Sequence, residues 1–438
     1  MIDRLSASYV GALGNTWIHT PAFDRLAGQS LVFDRAMIDS PVLDAVYESF
    51  WTGTAAWYAD SAAAVAEAVG ERSLPSWCRK HGVPTLLVTD DGDVAAHRLA
   101  GVFDEVVHLS QPESREQIRD GTRSVPTTAS DWQETQLAAF FAAAVEVLET
   151  RRPPALVWLH TGALGRVWDS PQTLRDQYAA EDDPPAPSLA QPPSLVLDEQ
   201  TDPDMLLGLR HAYAGEISVL DHCLAMLLDT IDGGDWRNAL LGVTSCRGYP
   251  LGEHGIVGDA REALYGELVR VPLFIRVPGG PKYGAHNQAL VQPADLHATL
   301  LDWLSAGGSA EETEVAGSHG GRSLLQVDRE PSKPRALAIA RSKTGEIALA
   351  TPAWFVRMPA RGQDHGPADE SQSASGQIVE RRIELFAQPD DYFQVNEVSD
   401  RCRDIVEEFR EVVQAVERAS VQGGQVEFTL SAAALGVR

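Results

Sequence analysis

The chain has 438 residues, 44% of them hydrophobic, and its 62 acidic and 36 basic side chains give a formal net charge of −26. This length exceeds the usual limit of a single core, so we expect one large domain and a smaller one. The acidic surface would repel nucleic acids and anionic membranes, and we predict that neither is a partner.

Four scattered cysteines, with no Cys-x-x-Cys pair among them, are typical of reduced, partly buried thiols. No uninterrupted apolar run approaches membrane-spanning length. The opening, MIDRLSASY, lacks the apolar stretch of a signal peptide. As written, the sequence predicts a cytoplasmic protein, and a start further upstream would allow export.

The first part of the chain alternates predicted helices and strands. Thr20 followed by Pro21 predicts an N-cap and a helix that runs to residue 26. Apolar runs predict strands at residues 31–37, 83–88, 103–109 and 155–160, and helical spacing predicts helices at 55–69, 74–81 and 133–150. Residues 179–204, rich in proline and acid, predict a long surface loop.

A helix is predicted at residues 205–231, followed by buried strands at 239–244 and 271–277. The polar loop between these strands carries Cys246, Arg247, Glu253, His254 and Asp259. Such side chains, just past the carboxyl end of a central strand, lie where α/β sheets place ligand sites. Further along, short strands, a polar loop at 362–376 and an amphipathic helix at 400–419 are predicted.

Several segments resemble the sulfatase family. They are DRL at residues 3–5, TPAFDRLA at 20–27, TG at 52–53, LGEHG at 251–255, DLHATLLDW at 295–303, GRSLL at 321–325 and residues 382–400. The resemblance implies an α/β fold of the alkaline-phosphatase and sulfatase type. Residues 1–330 would form a mostly parallel central sheet between helices, and residues 331–438 a small C-terminal α+β domain. The activity that it implies is hydrolysis of sulfuric esters.

The start of the chain departs from this family. An apolar strand precedes the first aspartate of family members, whereas only Met1 and Ile2 precede Asp3 here. Either the start is assigned too late or the sheet has lost part of its central strand, and the sequence leaves both possibilities open.

The resemblance also implies a Cys or Ser nucleophile, oxidised to formylglycine, ten residues before the glycine of the TG pair. Leu43 occupies that position, and leucine offers neither a nucleophile nor a route to an aldehyde. A slip of one residue would place Asp44 there, and a carboxylate cannot perform formylglycine chemistry either. We therefore predict that the usual nucleophile is missing.

Calcium is the cofactor that the resemblance implies, held by two N-terminal aspartates and by an Asp and its neighbour after the core strand. Asp3 keeps the first position, but Arg4, Cys246 and Arg247 take the others. Guanidinium has no acceptor and thiolate is too soft for calcium, so we predict no metal and no calcium.

Further positions that would contact sulfate have also changed. Gly165 replaces the family's histidine before Trp168, and Asp259 replaces the lysine after LGEHG, although Arg261 is close enough in sequence to substitute. His160 remains, and a lone histidine at the end of a buried strand is more often structural than catalytic. The predicted vestigial pocket consists of Asp3, Cys246, Arg247, His254 and His160.

Within this pocket we expect Arg247 to pair with Asp3, which would close the metal position and leave a weak site for a small anion or sulfated ligand beside His254. The predicted function is that of a non-catalytic sulfatase homologue with a binding or regulatory role. One alternative is an active sulfate- or phosphate-ester hydrolase with a rebuilt site. Another is a cysteine-dependent hydrolase that uses Cys246. The oligomeric state stays open.

Overall fold

The computed structural model describes residues 1–58, 72–109, 128–188, 190–279, 284–305, 321–326, 335–358, 383–422 and 428–436. The chain divides into two compact units. The first unit comprises Met1–Ala36, Glu67–Arg261 and Arg270–Gln288, and the second comprises Met37–Ala66, Glu262–Val269 and Ala289–Arg438. The domain boundary expected between residues 330 and 331 stays a prediction.

The described helices are α1 (Pro21–Ala27), α2 (Leu43–Thr52), α3 (Leu74–Lys80), α4 (Gly92–Ala96), α5 (Gln136–Thr150), α6 (Ala163–Arg166), α7 (Gln172–Arg175), α8 (Pro203–Gly233), α9 (Gly266–Val269), α10 (Pro293–Ser305), α11 (Arg403–Gln422) and α12 (Ala432–Leu435). Short 3-10 helices connect several of them. Among the described residues, no helix combines the length and apolar character that crossing a membrane requires.

The described strands are β1 (Leu31–Ala36), β2 (Thr85–Thr89), β3 (Glu105–His108), β4 (Leu156–His160), β5 (Leu195–Val196), β6 (Leu241–Thr244), β7 (Ile256–Val257), β8 (Leu273–Arg276), β9 (Ala285–Val291), β10 (Ala338–Arg341), β11 (Ile347–Ala350), β12 (Trp354–Met358) and β13 (Glu384–Ala387). Most elements predicted from periodicity are present, with ends that differ by a few residues. The predicted helix at 55–69 falls largely, and the polar loop at 362–376 entirely, outside the described residues.

The first unit contains a parallel sheet in the order β3-β2-β4. Its central strand, β2, is buried along its whole length, as expected of a strand covered on both faces. A second sheet has the order β6-β8-β1-β9, with β8 antiparallel to both β6 and β1. This mixed α/β architecture confirms the predicted fold class.

The first three residues lie between these two sheets. Ile2 forms a parallel bridge with Thr161, just after β4, and its backbone N–H donates to the Thr244 carbonyl at the end of β6 (3.0 Å). The Thr161 N–H donates to the Met1 carbonyl (3.1 Å). These bonds satisfy the backbone of a short extended segment and hold the next residue, Asp3, at the carboxyl edge of both strands.

Helix α8 is the central helix of the first unit. Its side-chain cap is Asp202, which accepts from the Asp204 N–H, and Pro203 occupies the first helical position, where a missing N–H costs nothing. The helix packs against α1, α5 and α7, and its apolar residues, including Leu209, Ile217 and Leu224, lie within the main core. These contacts along α8 hold α1, α5 and α7 in place.

The second unit contains an antiparallel sheet in the order β10-β11-β12-β13. Helix α11 packs its predicted apolar face on this sheet, with Phe409, Val412, Val413 and Val416 buried. The antiparallel sheet and helix agree with the C-terminal domain type that the sequence predicts.

The start of α1 departs from the sequence-based expectation. Thr20 occupies the N-cap position, but its hydroxyl does not cap the helix and instead accepts from the Gly11 N–H (2.9 Å). The cap comes from α8, where the Asp221 carboxylate accepts from the N–H groups of Ala22 and Phe23 (both 3.0 Å). The helix therefore depends on a tertiary contact that local sequence cannot reveal.

Replacing Asp221 should destabilise the protein because two buried N–H donors would lose their acceptor. We expect Asp221→Ala to lower the free energy of unfolding by about 1–3 kcal/mol in urea denaturation. The matched control is Glu149→Ala, which removes an exposed carboxylate at the end of α5 and should change stability by less than about 0.5 kcal/mol. Equal effects of the two substitutions would contradict the proposed cap.

Candidate functional site

The candidate site lies in the first unit, where the ends of β4 and β6 face the start of the chain. The Asp3 N–H donates to the Thr161 carbonyl (2.9 Å), and the Arg4 N–H donates to the Arg247 carbonyl (3.0 Å). Backbone bonds thus tie residue 3 to the segment after β4 and residue 4 to the loop after β6. Side chains from three separate parts of the sequence converge here, as expected at the carboxyl edge of an α/β sheet.

The Asp3 carboxylate is only 3% exposed and receives the Arg247 guanidinium. Arg247 Nε lies 3.0 Å from Asp3 Oδ1, and Arg247 Nη2 lies 3.0 Å from Asp3 Oδ2, which is the fork geometry that suits a carboxylate. Burial alone would raise the pKa of Asp3, but Arg247 and then Arg4 outweigh it and hold the pKa below its usual value. The predicted pairing of Arg247 with Asp3 is confirmed.

A second ion pair joins Arg4 to Asp259. The Arg4 side chain is 4% exposed, its Nη2 contacts Asp259 Oδ1, and its Nε lies 3.9 Å from Asp3 Oδ2. Burial, followed by Arg247, lowers the pKa of Arg4, and the two aspartates oppose this shift. Two guanidinium groups therefore meet two carboxylates in this site, and their formal charges cancel.

Arg4 also fits this place sterically. A Cβ atom on Gly165 would lie 2.9 Å from Arg4 Cγ, closer than non-bonded carbon atoms approach, so a side chain at position 165 and this Arg4 conformation exclude each other. The Arg4 backbone has a left-handed φ of 66°, unusual for arginine. The Tyr213 hydroxyl holds it there by donating to the Arg4 carbonyl (2.7 Å).

Cys246 and His160 form a buried contact beside the ion pairs. Both side chains are 0% exposed, and Cys246 Sγ lies 3.8 Å from His160 Nδ1, within the range of a weak sulfur hydrogen bond. Burial lowers the pKa of His160 to about 4, although Asp3 opposes the shift. His160 is thus neutral at physiological pH. Neither of these residues is a surface group.

Asp90 is a buried residue of the site that the sequence analysis does not identify. Asp90 is 3% exposed and accepts from the Thr161 hydroxyl (2.9 Å) and the Gly162 N–H (2.8 Å). Arg166 Nη2 lies 2.9 Å from its carboxylate. The residue thus fixes the chain just after β4. Asp90 directly follows the buried run of β2, and this position could have indicated a residue of the site.

His254 lies in the tight turn between Leu251 and Ile256 and is half-buried. The Gly252 N–H donates to the Ile256 carbonyl (2.9 Å), which closes the turn. The turn is covered by residues before α8, since the Leu197 N–H donates to the Gly255 carbonyl (2.8 Å). That His254 shares an anion site with Arg247 stays a prediction.

The sulfatase family model matches residues 1–306, most of the chain. The chain belongs to the sulfatase family.

Two curated relatives match parts of this sulfatase-family protein. The multifunctional alkaline phosphatase superfamily protein PehA of Trinickia caryophylli is 32% identical over 119 residues, which are 27% of this chain and 21% of that protein. The N-acetylglucosamine-6-O-sulfatase of Bacteroides thetaiotaomicron is 32% identical over 92 residues, which are 21% of this chain and 16% of that protein. The matched part spans well under half of each relative.

Solved structures resemble the whole fold. One, of a protein in complex with its substrate D-glucosamine-2-N,6-O-disulfate, has a TM-score of 0.68 and 16% identity, with 96% of both chains covered. The phosphonate monoester hydrolase of Agrobacterium radiobacter has a TM-score of 0.67 and 16% identity, with 96% of this chain and 95% of that chain covered. At this identity the similarity establishes the fold alone.

The position of the family nucleophile lies in the second unit of this sulfatase-family chain. Leu43 is the first residue of α2 and is half-buried. Asp44, which follows it, is exposed in the first turn, where a carboxylate is favoured by the helix dipole. A structural role therefore accounts for Asp44.

The residues at the family's calcium position do not fit that ion. Calcium takes six to eight oxygen ligands. Here Asp3 contributes oxygens that already accept from Arg247, and the Arg4 guanidinium lies beside it. Among the described residues, no group of three or more His, Cys, Asp or Glu side chains has an arrangement that could hold a metal. The absence of calcium stays a prediction.

Breaking the Arg247–Asp3 pair on one side should cost more than removing both charges. We expect Arg247→Met to destabilise the protein by about 3–5 kcal/mol, because it strands a buried carboxylate. Adding Asp3→Asn should recover part of that loss, and denaturant unfolding of the two single variants and the double variant measures the coupling. Strictly additive effects would contradict a direct pair.

The lowered pKa of His160 predicts a pH dependence. Between pH 4 and 6.5 the unfolded chain protonates this histidine while the folded chain does not, so stability should rise as pH increases through this window. The stability advantage of the wild type over His160→Gln should therefore shrink by about 2 kcal/mol between pH 7 and pH 5. An advantage of constant size in urea unfolding at both pH values would show that His160 is not held neutral.

Proposed function

We propose that this protein is a non-catalytic member of the sulfatase family with a binding or regulatory role. The observation that carries the proposal is the Arg247–Asp3 ion pair at the position where the family resemblance places calcium. A guanidinium group is a permanent cation, so it neutralises Asp3 without leaving an open coordination position.

Electrostatics support the absence of calcium. A single positive charge 4 Å from a doubly charged cation is repelled by roughly 8 kcal/mol at an effective dielectric constant near 20. Calcium beside Asp3 would meet repulsion of this order from Arg247 and from Arg4, which offsets its attraction to Asp3 and Asp259. It would also have to displace hydrogen bonds from Asp3.

The missing nucleophile supports the same proposal independently. Leu43 cannot be oxidised to formylglycine, and it stands at the family position for that residue. Loss of the metal alone could be offset by a substitute cation. Loss of the nucleophile as well leaves the family reaction with no attacking group.

As ligand we propose a small anion or a sulfated molecule that contacts Arg247. The Arg247 side chain is 21% exposed, whereas its partner Asp3 is almost completely buried. The net neutrality of the two ion pairs limits such a site to weak binding. A structural neighbour that binds a disulfated glucosamine is consistent with this ligand class.

A second candidate function is that of a sulfate- or phosphate-ester hydrolase with a rebuilt site. The Cys246–His160 contact favours it, because a thiol beside an imidazole is a common nucleophile–base pair. Their complete burial weighs against it, since a substrate would need an opening that reaches Cys246.

Activity assays separate the two candidates. We expect no hydrolysis of aryl sulfate or aryl phosphate esters above the blank, with or without calcium. Turnover that disappears in Cys246→Ala, while a conservative change at the exposed Glu149 leaves it intact, would establish the rebuilt hydrolase and overturn the non-catalytic proposal.

Metal content tests the proposal without reference to activity. After incubation with calcium and dialysis, elemental analysis should find no stoichiometric calcium in the wild type. Restoring oxygen ligands with the combined Arg4→Asp, Cys246→Asp, Arg247→Asn and Asp259→Lys changes should raise the thermal midpoint in added calcium, since binding to the folded state stabilises it. Calcium retained by the wild type and lost in Asp3→Ala would refute the proposal.

A further inference from the structure

Four charged side chains of the site form a chain of alternating sign. Arg247 Nη2 lies 3.0 Å from Asp3 Oδ2. Arg4 Nε lies 3.9 Å from the same Asp3 oxygen, and Arg4 Nη2 contacts Asp259 Oδ1. The side chains of the two inner members, Asp3 and Arg4, are each 4% exposed, whereas 21% of the Arg247 side chain and 58% of the Asp259 side chain are exposed at the two ends. The site therefore presents one positive and one negative group to solvent.

The residue before Asp259 fixes the position of this carboxylate. Gly258 has a left-handed φ of 61°, and its N–H donates to the Pro250 carbonyl (3.0 Å). A Cβ atom at Gly258 would clash with the Pro193 carbonyl oxygen, so only glycine fits both the conformation and the space. Asp259 is thus held in place before a ligand arrives, which lowers the entropic cost of binding there.

Asp259 also acts on Arg247 at the other end of the chain of charges. Burial would lower the pKa of Arg247, but Asp3 and then Asp259 outweigh it and raise the pKa above its usual value. The Asp259 carboxylate is therefore within electrostatic reach of Arg247. An anion that contacts Arg247 would be repelled by Asp259 unless the same molecule also carries a positive charge.

Other charged side chains nearby have partners of their own. Arg166 Nη2 lies 2.9 Å from Asp90 Oδ2, and the Glu253 carboxylate accepts from a backbone N–H two residues earlier (2.7 Å). Arg261 is half-buried and likewise has a partner. Within the described part of the chain, Asp259 is ion-paired with the buried Arg4, and more than half of its side chain stays open to solvent. Asp259 is therefore the group best placed to meet a cation.

We propose that the ligand of this site is a small zwitterion, with a sulfate or sulfonate group that contacts Arg247 and an amine cation that contacts Asp259. This inference rests on the proposed anion site and adds the second group that the ligand carries. A ligand without net charge matches a site whose own charges cancel, and it extends the alternation of sign at both ends. A plain anion would gain the contact with Arg247 and meet the repulsion from Asp259.

Alkanesulfonates test the proposal, because they have no ester bond and their binding can be measured whether or not the protein is catalytic. The probes are ethane-, propane- and butane-1-sulfonate, each with and without a terminal amine, which is charged at pH 7 as a lysine amine is. In ligand-detected NMR titrations with the full-length protein, at least one aminated sulfonate should bind about tenfold tighter than the plain sulfonate of the same length. Acetylation of that amine, which removes its charge, should abolish the advantage.

The role of Asp259 is tested by substitution. Asp259→Asn should bring the aminated and plain sulfonates to equal affinity without weakening the binding of the plain one. The matched control, Glu149→Gln, neutralises an exposed carboxylate at the end of α5 and should keep the tenfold preference. If Asp259→Asn does not fold, Asp259→Glu keeps the charge and should keep the preference, and the acetylated probe still decides in the wild type.

The outcomes separate this inference from the proposed function. Equal affinity of the wild type for aminated and plain sulfonates would overturn the zwitterion and leave the anion site in place. A preference that survives in Asp259→Asn would overturn it as well, because the amine would then be bound elsewhere. Absence of binding by every sulfonate would overturn the anion site and this inference together, whereas hydrolysis of aryl sulfates would refute only the non-catalytic proposal.

Discussion

A carboxylate that is almost completely buried needs a compensating cation, and Asp3 imposes this requirement on its surroundings. Its backbone is fixed by hydrogen bonds to the segment after β4, so the side chain cannot withdraw to solvent. An unpaired ion at such a depth costs several kcal/mol. In the family that this sequence resembles, a metal ion supplies the compensating positive charge at this position. In this chain Arg247 meets it from the loop after β6 and is held there by side-chain and backbone bonds together.

The other changes around Asp3 are coupled to one another. The family pattern has an acid at position 4 and a lysine at position 259, and this chain has Arg4 and Asp259, so the two signs are exchanged while the pair is kept. Gly165 leaves the volume that the Arg4 side chain occupies. Arg4 without its aspartate partners would be a buried unpaired charge, and a side chain at position 165 would clash with it. The site is therefore a single rearranged unit, and its members must be changed together to restore an older arrangement.

Much of this could be predicted from the sequence because it depends on local pattern. Strand and helix periodicity located most described elements. The Arg247–Asp3 pair could be predicted because the family resemblance places both residues at positions that hold the same metal ion. The cap of α1 by Asp221, the Arg4–Asp259 pair and the bonds of Asp90 could not, since each joins segments that are distant in sequence and adjacent only in the folded chain. Cys246 and His160 were predicted to share one pocket, but their direct contact, made by the ends of β4 and β6, was not predicted.

An internal cation and a bound metal have different physical consequences. The contribution of a bound ion to stability varies with the concentration of that ion, whereas a guanidinium group is covalently attached and its contribution is constant. A metal can also polarise a substrate by direct coordination, which a guanidinium cannot do because it has only donors to offer. Exchanging one for the other thus preserves the neutralisation of Asp3 and gives up the Lewis acid. The proposed exchange is compatible with binding an anion at the partly exposed Arg247 side chain, and it would remove the polarising group that ester hydrolysis in the family would use. This difference is the physical basis of the proposal that the site recognises a ligand and does not turn it over.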